Sequence, residues 1–193
     1  MKLIGICGGS CSGKSTLVKA LASRQTNLSI IHFDDFFVGK AKINVEEVKN
    51  WEDPALYRLD EYVDVLRKLR NGDQVEIEAN SRESRQEGLT SRILKPNDYI
   101  IVEGFLIFYP QTARQYFNKK IYMDIPEEEI VRRRYERMNS GKGGKYSDEY
   151  IRKTLIQEHR KIVVPQKQFA DLVLDATRPV EELVHEVVNF IEE

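Results

Sequence analysis

The residues that most constrain this chain lie near its N-terminus, where positions 8–15 read Gly-Gly-Ser-Cys-Ser-Gly-Lys-Ser. The spacing of glycine, four residues, glycine, lysine and serine is the pattern of a phosphate-binding loop. Residues 2–7 before it are typical of a buried strand, and residues 15–21 after it are typical of a helix. This strand, loop and helix order is the context that the motif requires, and it argues against the alternative of a glycine-rich turn without a ligand.

The loop also predicts how a polyphosphate is held. Glycines let the backbone approach the phosphates with its N–H groups pointing inward, and the start of the following helix adds partial positive charge. Lys14 is predicted to contact the β and γ phosphates, and Ser15 to offer its hydroxyl to Mg²⁺. The residues predicted to contact the nucleotide are Gly8, Gly9, Ser10, Cys11, Ser12, Gly13, Lys14, Ser15 and Thr16.

Length and composition limit the class of protein. A chain of 193 residues predicts one domain over 1–193, and a formal net charge of -1 gives no global field to attract nucleic acid or an anionic membrane. Cys7 and Cys11 are too few for a disulfide framework or a zinc site, so both are expected to be reduced thiols. We see no apolar run of membrane-spanning length and no signal-peptide core. A cytoplasmic enzyme without nucleic-acid or membrane partners is the expectation.

Strand and helix patterns alternate along the chain. Strands are predicted over 28–33, 99–102, 120–123 and 172–174, and helices over 59–69, 126–138, 147–163 and 180–191. Residues 74–94 predict a small hairpin appendage that stands off the main sheet. The alternation predicts an α/β fold, a three-layer arrangement around a parallel sheet.

Acidic residues follow two of the buried strands. Asp34 and Asp35 come directly after the second strand, and Glu103 ends the strand that begins at Tyr99. Ligands bind at the carboxyl edge of open parallel sheets, so these acids are expected near the phosphate loop. Asp34 is the first choice for the base that takes the acceptor's proton, with Asp35 second. Glu103 is predicted to hold Mg²⁺, directly or through water, or to bind the acceptor's hydroxyls. Each acid alone could instead be a solvated loop residue.

Basic residues on the 126–138 helix predict a lid over residues 127–147. Arginines suit phosphate oxygens, and Arg133 and Arg137 share a helix face, whereas the three successive arginines 132–134 do not. The glycine-rich stretch at 141–145 predicts a hinge for this lid. A solvated basic helix face is the alternative interpretation.

Together these motifs resemble the uridine kinase and nicotinamide riboside kinase branch of the P-loop kinases. The resemblance covers nearly the whole chain and depends on residues 8–16, 34–37, 50–54 and 101–108, the arginine-rich lid, Val164-Pro165 and 169–173. It implies a P-loop kinase fold, ATP as phosphoryl donor and Mg²⁺. The implied catalytic residues are Asp34, Lys14, Arg133 and Arg137, and the implied metal ligands are Ser15, Asp34 and Glu103. Arg133, Arg137 and Arg178 are implied nucleotide contacts, and Asp34, Phe37, Glu52, Asp53, Glu103 and Arg134 are implied acceptor contacts.

The acceptor implied by this resemblance is a ribose-bearing small molecule, namely a nucleoside phosphorylated on its 5′-hydroxyl, as in uridine and cytidine kinases. Nicotinamide riboside is the alternative acceptor, because the Asp-Asp-Phe-Phe and Glu-Gly-Phe-Leu segments are closer in sequence to nicotinamide riboside kinases. Where pyrimidine kinases read the base with Tyr, Phe and His, this chain has Val75, Ile77 and Asn80. Glu52 and Asp53 both stay candidates for the ribose diol.

A nucleotide-hydrolysing switch without an acceptor is a more remote interpretation, and it lacks a guanine-reading motif. Assembly into a homo-oligomer is also compatible with such a chain.

Overall fold

The computed structural model describes residues 1–24, 27–141 and 144–193, along which strands and helices alternate. The strands are β1 Lys2–Gly8, β2 Leu28–His32, β3 Val75–Glu78, β4 Ser91–Leu94, β5 Tyr99–Gly104, β6 Lys119–Asp124 and β7 Leu172–Asp175. The α-helices are α1 Lys14–Ala22, α2 Leu59–Arg70, α3 Arg82–Gln86, α4 Glu127–Asn139, α5 Ile156–Glu158 and α6 Val180–Glu192. Short 3-10 segments cover Phe33–Phe36, Lys40–Lys42, Val45–Glu47, Pro54–Leu56, Gln111–Tyr116 and Val164–Phe169.

Five strands form one parallel sheet in the order β2-β5-β1-β6-β7. The strand before the phosphate loop, β1, therefore lies at the centre, between β5 and β6. In the register of the sheet, Glu103 on β5 is opposite Ile6 on β1 and His32 on β2. The carboxyl ends of these three strands thus meet at one edge, which confirms the predicted α/β parallel-sheet fold.

Both faces of the sheet are buried, as expected for strands covered by helices on each side. On β1, Leu3 and Cys7 join one apolar cluster, and Ile4 and Ile6 join the other. Helix α2 packs into the first cluster, and α1 and α6 pack into the second. This alternation fixes the register of β1, because a shift by one residue would exchange its two faces.

The predicted appendage is an antiparallel pair, β3 with β4, which forms a separate two-stranded sheet. The short helix α3 connects the two strands, and its N-cap Ser81 accepts a hydrogen bond from the backbone N–H of Ser84. The sequence did not predict this helix, since the segment is polar and short.

Residues 150–163 differ from the single regular helix predicted over 147–163. They contain π-helical turns at Tyr150–Leu155 and His159–Val163, on either side of α5. π-helical turns are rare and occur often at functional sites, because the wider turn redirects side chains. We call residues 150–163 the π-containing helix.

No helix in the described parts of the chain is long and apolar enough to cross a membrane.

Candidate active site

The phosphate loop follows β1 and ends where α1 begins at Lys14. Its backbone enters the left-handed region twice, at Cys11 with φ 63° and at Gly13 with φ 94°. Gly13 adopts this conformation at little cost, whereas Cys11 carries a side chain and is strained there. Backbone strain of this kind is typical of turns whose shape is fixed for function. Thr16, also predicted as a contact, is exposed on the first turn of α1.

The side chain of Lys14 lies across the loop and is buried. Its Nζ donates hydrogen bonds to the carbonyl oxygens of Gly8 and Gly9, both at 2.8 Å, and to Ser12 Oγ at 3.4 Å. Because the loop carbonyls fix its direction, the ammonium group is held at the mouth of the loop. There it can meet a phosphate that the loop N–H groups bind.

A hydroxyl, a carboxylate and an imidazole meet beside the loop. Ser15 Oγ donates to Glu103 Oε1 at 3.1 Å, and the same oxygen lies 2.8 Å from His32 Nδ1. Burial by itself would raise the pKa of Glu103, but the hydrogen bond from His32 and the charge of Lys14 bring that pKa below its usual value. Burial opposes protonation of His32, yet Glu103 raises the pKa of its imidazole overall. Glu103 is therefore an ionised carboxylate with a fixed orientation.

The pair of Ser15 and Glu103 suits a magnesium ion. Mg²⁺ prefers oxygen ligands and usually takes only one or two from protein, with phosphates and waters completing its shell. Consistent with this sparse ligation, no cage of three or more His, Cys, Asp or Glu side chains forms within the described ranges. A hydroxyl and an ionised carboxylate 3.1 Å apart next to the loop are a fitting donor set.

Asp34 follows β2 in the 3-10 segment Phe33–Phe36, and its side chain is exposed. Within the described part of the chain, its carboxyl group makes no hydrogen bond and no ion pair. Partial loss of hydration and repulsion from Glu103 raise the pKa of Asp34 to about 7, against the opposing charge of Lys14. A carboxylate with a pKa near neutrality can take up a proton at working pH, as a general base must.

The neighbouring Asp35, the second choice for the base, has a different environment. It is fully buried, and its two carboxylate oxygens accept hydrogen bonds from Ser81 N at 2.7 Å and Ser84 Oγ at 3.1 Å. Arg92 on β4 approaches within 4.0 Å. Asp35 thus anchors the appendage to the turn that carries Asp34.

The two candidate acids of the tryptophan loop differ in the same way. Asp53 is exposed, and its Oδ1 accepts a hydrogen bond from Ala55 N at 2.9 Å, which caps the 3-10 segment Pro54–Leu56. Glu52 is half-buried, and burial raises its pKa, while Arg134 and Lys14 oppose the shift. Glu52 thus lies within electrostatic reach of Lys14 and Arg134, whereas Asp53 caps the local backbone.

Phe37 is buried in an aromatic cluster at the acceptor side of the site. Its ring lies 6.2 Å from that of Trp51 and 5.8 Å from that of Tyr57, measured between centroids. Its carbonyl oxygen accepts hydrogen bonds from Arg58 Nη1 at 2.6 Å and Asn80 Nδ2 at 3.0 Å. Phe37 therefore connects the turn after β2 to the tryptophan loop and to the appendage.

Two arginines of α4 reach the phosphate loop. Arg134 is buried, and its Nη2 donates to Ser10 Oγ. Arg133 is half-buried, and its Nη1 donates to the carbonyl oxygen of Cys11 at 3.4 Å. Sequence spacing favours Arg133 with Arg137, but Ile130 and Arg134 form the buried face of the helix. Arg134 consequently occupies a position that an apolar residue would normally take.

The other two arginines predicted to contact the nucleotide are Arg137 and Arg178. Arg137 is half-buried, and its charge acts on the hydroxyl of Tyr146. Arg178 follows β7 and is paired with two glutamates of α6, Glu182 at 3.2 Å and Glu186 at 2.6 Å. The hinge predicted over 141–145 falls partly outside the described residues, because 142 and 143 are not among them.

Sequence reasoning missed three parts of the site. The sequence pattern assigns His32 to a strand and gives no sign of its contact with Glu103. Tyr146 and Tyr150 stack with centroids 5.0 Å apart, and the hydroxyl of Tyr150 accepts a hydrogen bond from Trp51 N at 3.1 Å. These contacts join the lid side of the site to the tryptophan loop. No local pattern predicts them, nor the contact of His159 with the loop described below.

A central parallel strand that runs into a lysine-containing phosphate loop, with carboxylates at the same sheet edge, defines a P-loop kinase. Solved structures have this fold. Shikimate kinase from Acinetobacter baumannii, in complex with shikimate, gives a TM-score of 0.62 at 15% identity and covers 99% of this chain and 93% of that chain. A possible uridine kinase from Bacillus stearothermophilus gives 0.59 at 22% identity, with coverage of 90% and 88%.

The sequence places the chain more narrowly. Residues 3–182 match the Phosphoribulokinase / Uridine kinase family, and the chain belongs to that family. The uridine kinase of Borrelia duttonii (strain Ly) is 28% identical over 179 residues, 90% of this chain and 86% of that protein. The uridine kinase of Clostridium botulinum (strain Kyoto / Type A2) is 28% identical over 180 residues, with coverage of 89% and 86%. The chain is thus an ATP-dependent phosphotransferase with a small-molecule acceptor.

Proposed function

We propose that this protein transfers the γ-phosphoryl group of ATP to the 5′-hydroxyl of a nucleoside, as the names of its uridine kinase relatives suggest. The observation that carries this proposal is Asp34, an exposed carboxylate without a partner among the described residues and with a pKa raised to about 7. The charges of Glu103 and Lys14 both act on the pKa of Asp34, which supports a position for this carboxylate close to the phosphate loop.

At the donor side, the chain's residues hold and neutralise the triphosphate. The loop N–H groups bind phosphate oxygens, Lys14 neutralises charge on the β and γ phosphates, and the arginines of α4 cover the loop. Ser15 and Glu103 would hold Mg²⁺, which would offset the negative charge of the phosphates. His32 would keep the Glu103 carboxylate oriented toward that ion.

At the acceptor side, Asp34 accepts the proton of the attacking hydroxyl. The hydroxyl oxygen forms a bond to the γ phosphorus as the bond from that phosphorus to the β–γ bridging oxygen breaks, and ADP leaves. Glu52 is the better candidate for the ribose diol, because it is coupled to Lys14 while Asp53 caps the backbone. A carboxylate can accept both hydroxyl protons of a diol in two hydrogen bonds.

A specific observation favours nicotinamide riboside as a second candidate acceptor. Ile77 is buried, and the amide nitrogen of Asn80 donates to Phe37 O and, at 3.2 Å, to Glu78 Oε2, so neither side chain offers a free donor to a uracil ring. Burial raises the pKa values of Asp34 and Glu52, and repulsion from Glu103 and Glu52 raises that of Asp34 further, against the charge of Lys14. A cationic pyridinium ring close to these carboxylates would favour their charged forms.

An acceptor screen tests the proposal. The purified protein is incubated with ATP or GTP, Mg²⁺ and each of uridine, cytidine and nicotinamide riboside, and nucleoside monophosphate is measured by mass spectrometry. Asp34→Asn is the matched control for background transfer. Formation of a 5′-monophosphate supports the proposal. ATP hydrolysis of equal rate with and without every acceptor would instead support the nucleotide-switch alternative.

A further inference from the structure

A buried imidazole, that of His159, packs against the phosphate loop at Gly9. His159, in the π-helical turn His159–Val163, is 5% exposed. A Cβ atom built on Gly9 would lie 2.5 Å from His159 Nδ1 and 2.6 Å from its Cε1. The ring therefore occupies the space that a side chain at position 9 would need, in direct contact with the loop backbone.

The nitrogen that faces the loop has no hydrogen-bond partner. Four buried side-chain nitrogen or oxygen atoms of the described residues lack one, and two of these, His159 Nδ1 and Arg134 Nε, belong to side chains that touch the loop. A buried polar atom without a partner destabilises the folded protein, so such atoms in native proteins call for an explanation, such as an ion, a water or a catalytic role. Burial lowers the pKa of His159, and the Lys14 charge acts in the same direction.

Nucleotide binding changes the demands on the loop backbone. With the loop N–H groups committed to phosphates, the loop carbonyl oxygens depend on donors from the surrounding protein. Lys14 donates to the carbonyl oxygens of Gly8 and Gly9, and Ser12 N donates to that of Gly9 at 3.2 Å. On the side of Gly9 where the imidazole packs, His159 Nδ1 is the available polar atom.

We propose that His159 is a positioning residue of the phosphate loop, whose Nδ1 forms a hydrogen bond with the loop backbone when a nucleotide is bound. The π-helical turn brings this side chain to the loop, and Gly9 leaves room for it. The inference depends on nucleotide binding and not on which acceptor is phosphorylated, so it can fail while the proposed acceptor chemistry stands.

Two substitutions separate the hydrogen bond from ring packing. His159→Phe keeps a ring but removes the nitrogen, and His159→Asn keeps a polar group close to the position of Nδ1. We expect His159→Phe to weaken binding of a non-hydrolysable ATP analogue about 5- to 10-fold in calorimetry, since a hydrogen bond is lost only in the bound state. Without nucleotide its melting temperature should equal or exceed that of the wild type, because an unpaired buried nitrogen is gone. His159→Asn should bind the analogue within about 3-fold of the wild type.

Other outcomes overturn the proposal. Wild-type affinity in His159→Phe, or equal weakening in His159→Phe and His159→Asn, would show that the nitrogen makes no such bond. Should the phenylalanine variant fold poorly, nitrogen NMR of the His159 imidazole in the wild type decides. Addition of the analogue must move the Nδ1 resonance, and an unchanged resonance contradicts the proposal.

A double substitution tests the contact itself. Gly9→Ala should weaken binding of the analogue, because its Cβ collides with the imidazole. In a His159→Ala background the same Gly9→Ala change should weaken binding less than it does in the wild type, since the space is then free. An equal loss in both backgrounds would mean that the ring does not press on Gly9, and the proposal would fall.

Discussion

Two carboxylates end neighbouring strands of the same sheet, and their surroundings differ sharply. Glu103 accepts hydrogen bonds from Ser15 and His32, and its pKa lies below the usual value. Asp34 has no such partner among the described residues, and its pKa is raised to about 7. Two acids with oppositely shifted pKa values are a common arrangement in enzymes that need one permanent charge and one proton acceptor.

The comparison extends to the two sides of the site. On the phosphate side, Lys14, Ser15 and Glu103 are already bonded to one another or to the loop. On the proposed acceptor side, burial raises the pKa values of Asp34 and Glu52, and repulsion from Glu103 and Glu52 adds to the shift of Asp34. The phosphate side is thus preorganised, whereas the acceptor side is completed by a substrate that brings hydrogen-bond donors.

The largest effect should come from removing the proton acceptor. We expect Asp34→Asn to lower kcat at least about 100-fold, because general-base catalysis is lost, while affinity for an ATP analogue stays within about 2-fold. Steady-state kinetics and calorimetry measure the two quantities. Asp53→Asn, a change at the exposed capping residue, is the control. Near-normal turnover of Asp34→Asn would contradict the assignment of Asp34 as the base. The functional contrast between Asp34 and Glu103 would then be lost.

The phosphate side can be divided by magnesium dependence. Lys14→Ala removes a charge that meets phosphates, so we expect a roughly 10- to 100-fold loss in kcat/KM for ATP at every Mg²⁺ concentration. Ser15→Ala should lose about 10-fold at low Mg²⁺ and recover part of it as Mg²⁺ rises, since only a metal ligand is missing. A magnesium titration of both variants is the measurement. Equal recovery in both, or in neither, would contradict this division.

Within the tryptophan loop, a smaller effect distinguishes two adjacent acids. Glu52→Gln should raise KM for the acceptor about 10-fold with a lesser change in kcat, because a charged hydrogen bond to the ribose is weakened. Asp53→Ala should leave that KM unchanged and lower the free energy of unfolding by about 1 kcal/mol, through loss of the cap. Kinetics and urea unfolding report the two quantities. The opposite pattern would assign the diol to Asp53.

The smallest effect concerns stability and pH. Since the pKa of Asp34 is higher in the folded protein than its ordinary value of 3.8, the folded state binds more protons than the unfolded state between pH 4 and 7. Wild-type stability therefore falls through that window, and the deficit stays constant above it. Solvent screening of the exposed side chain limits the deficit to about 1 kcal/mol.

Asp34→Asn lacks this ionisation. Without nucleotide, its melting temperature should exceed that of the wild type by about 2–4 °C at pH 8, with little difference at pH 4. Thermal melts at pH 4, 6 and 8 check this expectation. If the difference in melting temperature were equal at all three pH values, its cause would be the amide group and not the loss of the charge.

Local patterns were sufficient for much of this molecule. The phosphate loop, the strands and the acids that follow β2 and end β5 were predicted, because hydrophobic runs, glycines and sheet-edge chemistry are visible over a few residues. The parallel order of the sheet followed from alternation of strands and helices. The irregular helix at 150–163 was not predicted, since an extra residue in a turn leaves no mark in the apolar spacing.

The roles of adjacent residues depended on tertiary contacts. Asp34 and Asp35 look equivalent in sequence, yet only the second meets the serines of the appendage. Arg134 looks like a surface arginine in the sequence, but it lies with Ile130 on the buried face of α4. His159 is a single histidine in an otherwise unremarkable segment. Each distinction depends on a partner far away in the chain.

The anchor at Asp35 has a practical consequence for protein engineering. The residue next to the candidate base is fastened to Ser81 and Ser84 of the appendage, so residues 33–37 and 81–84 must be exchanged as one module. A chimera that receives a foreign appendage without a serine matching Ser84 would remove one of the two hydrogen bonds to a buried carboxylate, one residue from the proposed base. Libraries aimed at new acceptors should therefore diversify the exposed Ser91 and Ile93 of β4 and leave these two segments and Arg92 unchanged.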